Sequence, residues 1–255
     1  MRLVIVRHAD PEYSVDGLTE SGHLEAKALA ERFGSGYDGS IAKIYTSPKG
    51  RARATAKYTE DILGMEAAVE DWTQELSYWG RLDQNARPGE GGMALWDMPG
   101  EFIRSFEPPL TIESQWEELE DLGKVRKNYV ELCSMSDAFL ARHGYVRENG
   151  RYRVERRNED VIVVFCHGGF GLTWLSHLLQ LPAPCVWSNF WMAPSSVTTV
   201  LFDIRSPEYA TPRCLAVGDL SHLHKAGLTT VISKYEKPNS YGDYKRPSAI
   251  KANFW

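Results

Sequence analysis

The sequence predicts a three-layer α/β/α fold with a mostly parallel central sheet and a helical insertion capping the strand ends. Two short apolar runs carry that reading: Leu3-Val4-Ile5-Val6 and Val161-Ile162-Val163-Val164-Phe165. Such unbroken runs read as strands buried on both faces. Lys43-Ile44-Tyr45 and Val197-Thr198-Thr199-Val200-Leu201-Phe202 are further strand candidates, rich in β-branched and aromatic residues. Helical spacing fills the gaps. Residues 20–33 carry Leu24, Ala28, Leu29 and Phe33 on one stripe, with Thr19 as N-cap, and residues 49–63 and 168–179 follow as further helices. Strand–helix alternation of this kind gives a sheet with helices on both faces.

Residues 76–160 break the rhythm and read as an insertion within a single domain spanning 1–255. A Gly/Pro loop (Pro88-Gly89-Glu90-Gly91-Gly92) lies among Trp79, Met93, Trp96, Met98, Phe102 and Phe106. A long amphipathic helix follows, with Trp116, Leu119, Leu122, Val125, Tyr129, Leu132 and Phe139 on its apolar face and a capping box from Ser114 to Glu117. Asn149-Gly150 between Tyr145-Val146 and Tyr152-Arg153-Val154 predicts a β-hairpin. The aromatic-rich part of the insertion is expected to cap the strand ends, exclude water and shape a pocket. Residues 224–255 read as a tail.

Composition excludes several classes. At 43% hydrophobic and 25% charged residues over 255 positions, the chain is an ordinary globular protein. Its net charge of −5 gives no general attraction to nucleic acid or anionic lipid, so an anion site must be a local cluster. No stretch approaches the roughly 20 apolar residues that span a bilayer. Cys133, Cys166, Cys185 and Cys214 lie far apart, which predicts reduced thiols and a cytoplasmic protein. No stretch reads as an interface, and the sequence assigns no oligomeric state.

Two histidines follow the two buried strands directly: His8 after Arg7, and His167 after Cys166. Ligands of open α/β sheets bind beyond the carboxyl ends of strands, so the two can share a site. Arg7 adjoins His8. Arg51 sits where a short strand turns into a helix, and an Arg fork at a helix N-terminus suits phosphate oxygens. Gly168 and Gly169 allow backbone to approach an anion. His222-Leu223-His224 has no carboxylate or Cys companion, so no metal site is read there.

Together these blocks resemble the histidine phosphatase superfamily, which includes the cofactor-dependent phosphoglycerate mutases. The resemblance rests on Leu3-Val4-Ile5-Val6-Arg7-His8-Ala9, on Leu18-Thr19-Glu20-Ser21-Gly22 with Glu25-Ala26, and on Ser47-Pro48-Lys49-Gly50-Arg51-Ala52-Arg53-Ala54-Thr55-Ala56. His167-Gly168-Gly169 and Gly218-Asp219-Leu220-Ser221-His222-Leu223 complete it. It implies phosphoryl transfer through a phosphohistidine on His8, with Arg7, Arg51, His167 (as imidazolium) and Gly168 around the phosphate. It implies an acid too: Glu75 matches by position, with Glu70 and Asp71 as rivals. Ser14 and His222 are possible substrate or supporting residues.

The expected reaction is hydrolysis of a small phosphorylated metabolite, with no metal or cofactor. Mutase chemistry and a catalytically silent phosphate-binding module are the alternatives. Ala9 replaces the family's usual Gly. Pro11, Ser14 and Glu75-Leu76-Ser77-Tyr78 replace residues that hold phosphoglycerates in the mutases.

Overall fold

The computed structural model describes residues 1–77, 79, 94–97, 100–117 and 120–228, the side chains of 120–124 excepted. The loop 88–92, Met93, Met98, Leu119, the Leu122 side chain, Tyr78 and the tail beyond residue 228 lie outside the described residues.

Strand β1 (Arg2–Arg7) leads through the two-residue strands β2 (Pro11–Glu12) and β3 (Gly17–Leu18) into helix α1 (Glu20–Gly34). Then come β4 (Ile41–Thr46), α2 (Gly50–Leu63) and β5 (Ala68–Val69). The irregular middle holds α3 (Gly100–Ile103) and the long α4 (Glu120–Arg142). After β6 (Tyr145–Glu148) and β7 (Arg151–Val154), the chain returns through β8 (Val161–Cys166), α5 (Gly168–Leu179) and α6 (Ala183–Asn189). It then forms β9 (Val197–Ile204), β10 (Tyr209–Asp219) and α7 (Ser221–Lys225).

Among the described residues eight strands form one sheet in the order β5-β4-β8-β1-β9-β10-β7-β6. The expected parallel arrangement holds from β5 to β1, while β9, β10 and the hairpin extend the sheet antiparallel. Because side chains alternate along a strand, β1 and β8 serve two cores at once. Val4, Val6, Val161, Val163 and Phe165 pack with Leu29 and Phe33 of α1 and Ala56 of α2. Leu3, Ile5, Ile162, Val164 and Cys166 join the larger core under α4, α5 and α6. The unbroken apolar runs are therefore central strands covered on both sides.

Local chemistry sets several boundaries. Thr19 caps α1, its Oγ1 accepting from the Gly22 N–H at 3.0 Å. Asn149 and Gly150 turn the hairpin with φ of 49° and 85°. That hairpin, expected within the capping insertion, instead extends the edge of the central sheet beside β10. The predicted Ser114–Glu117 capping box does not form. Thr111 and Ser114 exchange the reciprocal bonds (2.9 and 3.1 Å) around a separate 3-10 turn, Ser114–Trp116, ahead of α4. Strand β10 escaped the sequence reading because Pro212 and two register shifts hide its alternation.

Arg32 of α1 is buried with Asp38 in a bidentate pair at 2.8 Å and reaches Asp219 at 2.7 Å. Asp219 also accepts from the Ser221 N–H, so this network fastens α7 to α1. Removing one partner of a buried pair strands the other charge. Arg32→Ala is expected to lower unfolding stability by about 3–5 kcal/mol in urea titrations. A loss below about 1 kcal/mol would show that the pair is solvated rather than buried.

Candidate active site

The parallel register carries both histidines to one place. Arg7 lies opposite Cys166, and the His8 N–H donates to the Cys166 carbonyl at 2.9 Å, so the residues leaving β1 and β8 stand side by side. The His8 and His167 rings meet edge-on with centroids 5.2 Å apart. Both are buried. β4 delivers Ser47 beside them: its backbone N–H bonds to Phe165, and its Oγ lies 2.8 Å from His167 Nε2.

His8 Nδ1 is 2.8 Å from the Ala9 carbonyl. A carbonyl oxygen only accepts, so the Nδ1 proton is fixed and Nε2 keeps its lone pair. The Ala9 N–H donates to Thr55 Oγ1 at 3.0 Å, and Thr55 in turn donates to the Arg51 carbonyl. The helix bearing Arg51 thus holds the turn bearing His8. Arg7 Nη1 donates to the Met192 carbonyl at 2.7 Å, while Arg7 Nε and Arg51 Nε are buried without a partner among the described residues.

Glu75 completes the cluster. Its Oε1 accepts from the Leu76 and Phe170 N–H groups at 3.0 and 2.9 Å, and Oε2 accepts from Gly169 at 3.3 Å. The first turn of α5 is therefore occupied by a carboxyl. At Gly169, expected to let backbone approach an anionic ligand, the N–H meets the protein's own Glu75 carboxyl instead. Gly168 keeps its relevance differently: a Cβ there would sit 3.3 Å from the Arg7 guanidinium. At Gly169 a Cβ would lie 2.5 Å from the Trp96 indole, so only glycine lets that ring settle over the carboxyl's cradle. The Trp96 segment, expected to cap the strand ends, reaches this corner of the site.

The comparisons with known proteins agree with this geometry. Residues 3–90 match the model of the histidine phosphatase superfamily, branch 1. The matched stretch carries Arg7, His8, Arg51 and Glu75. It is 33% identical over 125 residues to the 2,3-bisphosphoglycerate-dependent phosphoglycerate mutase of Brucella ovis, covering 42% of this chain and 57% of that protein. The chain spans about half the length of the curated relatives it matches. Among solved structures, it is similar to Entamoeba histolytica phosphoserine phosphatase in complex with 3-phosphoglyceric acid. The TM-score is 0.54 at 19% identity, over 87% of this chain and 98% of that one. Native mycobacterial glucosyl-3-phosphoglycerate phosphatase gives 0.53 at 21%, over 85% and 97%. At these identities the likeness establishes the fold.

The rival acids are engaged or exposed elsewhere. Glu70 is engaged by Arg142 and by Trp72 Nε1, and Asp71 is exposed. Ser14 is exposed, with its hydroxyl on Glu12 at 2.8 Å. His222 is buried behind the site, its Nε2 lying 3.3 Å from Ser195 Oγ, and the Ser195 N–H donates to the His8 carbonyl at 3.0 Å. Sequence reading missed Ser195 and the Met192 carbonyl, since neither belongs to a motif. Among the described residues no cluster of three metal-ligating side chains occurs, and no helix is long and apolar enough to cross a membrane.

Burial and the neighbouring Arg7 push the pKa of His8 down to about 3. Burial, His8 and the arginines hold His167 well below its ordinary 6.5. Among protein groups alone His167 is therefore neutral, so the expected imidazolium depends on the charge of a bound phosphate: two imidazoles and two guanidiniums share one desolvated corner. Glu75 shifts upward because burial outweighs its N–H bonds and the pull of Arg7.

These shifts predict an acid-sensitive fold. His8 (about 3), His143 and His222 (both about 4) and His167 all have native values below 6.5. The unfolded chain takes up these protons first, so their stabilisation is complete above pH 6.5 and declines as pH falls towards 4. Glu75 acts oppositely, favouring the native state as pH drops through its raised value. Four histidines outweigh one carboxyl. Calorimetry should show Tm falling from pH 6.5 to 4; a flat or rising Tm would contradict the assignment.

Proposed function

We propose that the protein is a phosphoric monoester hydrolase that moves the phosphoryl group of a small phosphorylated metabolite onto His8 Nε2 and then to water. The observation that carries this is the His8 ring, whose Nδ1–H is spent on the Ala9 carbonyl while Nε2 stays unprotonated beside His167. In-line attack by Nε2 breaks the ester P–O bond and leaves an alkoxide. Glu75, protonated, gives its proton to that alkoxide. Its Oε1 already takes two N–H bonds, so Oε2, with one long contact, is the oxygen suited to carry the proton. As a carboxylate, Glu75 then takes a proton from the water that attacks the phosphohistidine, restoring both groups.

Arg7, Arg51 and His167 surround the equatorial oxygens, with Gly168 giving Arg7 its room. Phosphoryl transfer gains mainly from positioning and charge stabilisation, so this cluster supplies the largest share of catalysis. A phosphate dianion among these groups reverses their charge balance and favours the protonated form of His167. The chain works as one domain. The Trp96 part of the 76–160 segment excludes water from Glu75, and His222 supports the His8 turn through Ser195.

The test is incubation with sugar phosphates, phosphoglycerates, phosphoserine and an aryl phosphate, measuring free phosphate and trapping the adduct. Release of phosphate with an acid-labile, base-stable adduct is expected. An acid-stable, base-labile adduct would move the nucleophile to Ser or Thr and end the proposal. The identity with the Brucella mutase keeps isomerisation as a second reading. An isomerised ester without free phosphate would favour it.

A further inference from the structure

Arg51 has one partner that no motif accounts for. Asp16, in the turn between β2 and β3, places Oδ1 on Arg51 Nη1 at 2.5 Å and Oδ2 on the Gly50 N–H at 2.7 Å. The seat is built for it. Asp16 has φ of +48°, a left-handed conformation that Asp and Asn tolerate better than most residues. A Cβ on Gly50 would lie 2.2 Å from the Asp16 carbonyl, so the turn can close on α2 only because residue 50 is glycine. Tyr13 of the same turn places its ring 5.5 Å from the Arg51 guanidinium carbon. The guanidinium is thus held at Nη1 and flanked by an aromatic face, while its buried Nε has no partner among the described residues. Despite partial desolvation, the Gly50 N–H and Arg51 hold the Asp16 carboxyl below its ordinary value, so it is anionic at neutral pH.

We propose that Asp16 is a positioning residue: it clamps the Arg51 guanidinium and the first turn of α2 so that the remaining guanidinium donors face the phosphate site beside His8 and His167. The assignment rests on the phosphatase reading and adds to it the group that orients one of the phosphate's cations. A planar guanidinium serves an anion best when its orientation is fixed before binding, because less rotamer entropy is lost. The opposite role is a latch, in which Asp16 competes with phosphate for the same donors. The two differ in sign.

The experiment measures inorganic phosphate and orthovanadate binding by calorimetry, together with kcat and KM for an aryl phosphate. It compares the wild type, Asp16→Asn, Arg51→Ala and the double variant. Asn keeps the left-handed turn and an oxygen for Gly50, so the fold is retained, as an unchanged circular dichroism spectrum will show. With Asp16→Asn, phosphate binding should weaken about fivefold to tenfold. With Arg51→Ala already present, the second change should add less than about twofold, because residues acting through one another are not additive. Tighter binding in Asp16→Asn would establish a latch and overturn the proposal. An equal loss in both backgrounds would mean that Asp16 acts independently of Arg51, which also overturns it. If the wild type bound neither anion, the phosphatase reading itself would fall; if it bound both and Asp16→Asn bound them equally, only this assignment would fail.

Discussion

Replacing His8 with alanine should reduce phosphate-ester turnover by about 10⁴-fold or more, with phosphate affinity largely retained. The loss corresponds to roughly 5 kcal/mol or more of transition-state stabilisation. It follows from geometry: among the described residues no other side chain in the cluster combines a fixed Nδ1 proton with a free Nε2. His167 is held differently, with its Nε2 engaged by Ser47 and no acceptor among the described residues fixing a proton on Nδ1. Phosphate affinity should survive because Arg7, Arg51 and His167 remain. The decisive measurement is single-turnover trapping, in which the wild type becomes labelled and His8→Ala does not. Labelling of the variant would relocate the nucleophile. The pH profile gives a second check. With a His8 pKa of about 3, the neutral ring is the dominant form above that pH, so activity should show no acidic limb from this residue above about pH 4.

Glu75→Gln should slow hydrolysis of alkyl phosphates by about 10²- to 10⁴-fold while leaving phosphate binding intact. The effect should depend on the leaving group. An alkoxide needs a proton as it departs, whereas an activated aryl oxide leaves unaided. Phosphorylation of His8 by an aryl phosphate should therefore stay fast in the variant. Hydrolysis of the phosphohistidine should become slow, since no carboxylate is left to activate water, and a burst of aryl alcohol followed by accumulated adduct is the expected trace. Wild-type activity should fall as pH rises through the raised Glu75 value, because the acid form is lost. Glu75→Gln should lack that limb. An unchanged limb would assign it to another group, and an equal slowing for alkyl and aryl esters in the phosphorylation step would remove Glu75 as the proton donor.

Legibility varied with how local the cause was. The Leu3–Val6 and Val161–Phe165 runs declared themselves because strands covered on both faces need apolar side chains at every position. Asn149-Gly150 did so because few other pairs accept two successive left-handed residues. Strand β10 did not, since its bulges destroy the period-two pattern. The Ser114–Glu117 box misled because Thr111, three residues upstream, captured Ser114 first. At the site, Arg7, His8, Arg51 and His167 were readable from position at strand and helix ends. Asp16 was not, because its partners lie 34 and 35 residues away and nothing in the chain between them marks the contact.

The sequence by itself determined which strands are central, where each histidine leaves the sheet, and which arginines stand near enough to be considered. Those properties depend on burial and chain punctuation, which residue type encodes directly. Only the tertiary structure decided three others: that Glu75 rather than Glu70 faces the cluster, that His167 is neutral among the protein's own groups, and that Asp16 holds Arg51. Each depends on distances between segments far apart in the chain, and on water excluded from the space they enclose. Desolvation is a collective property of the packed molecule, and no single residue carries it.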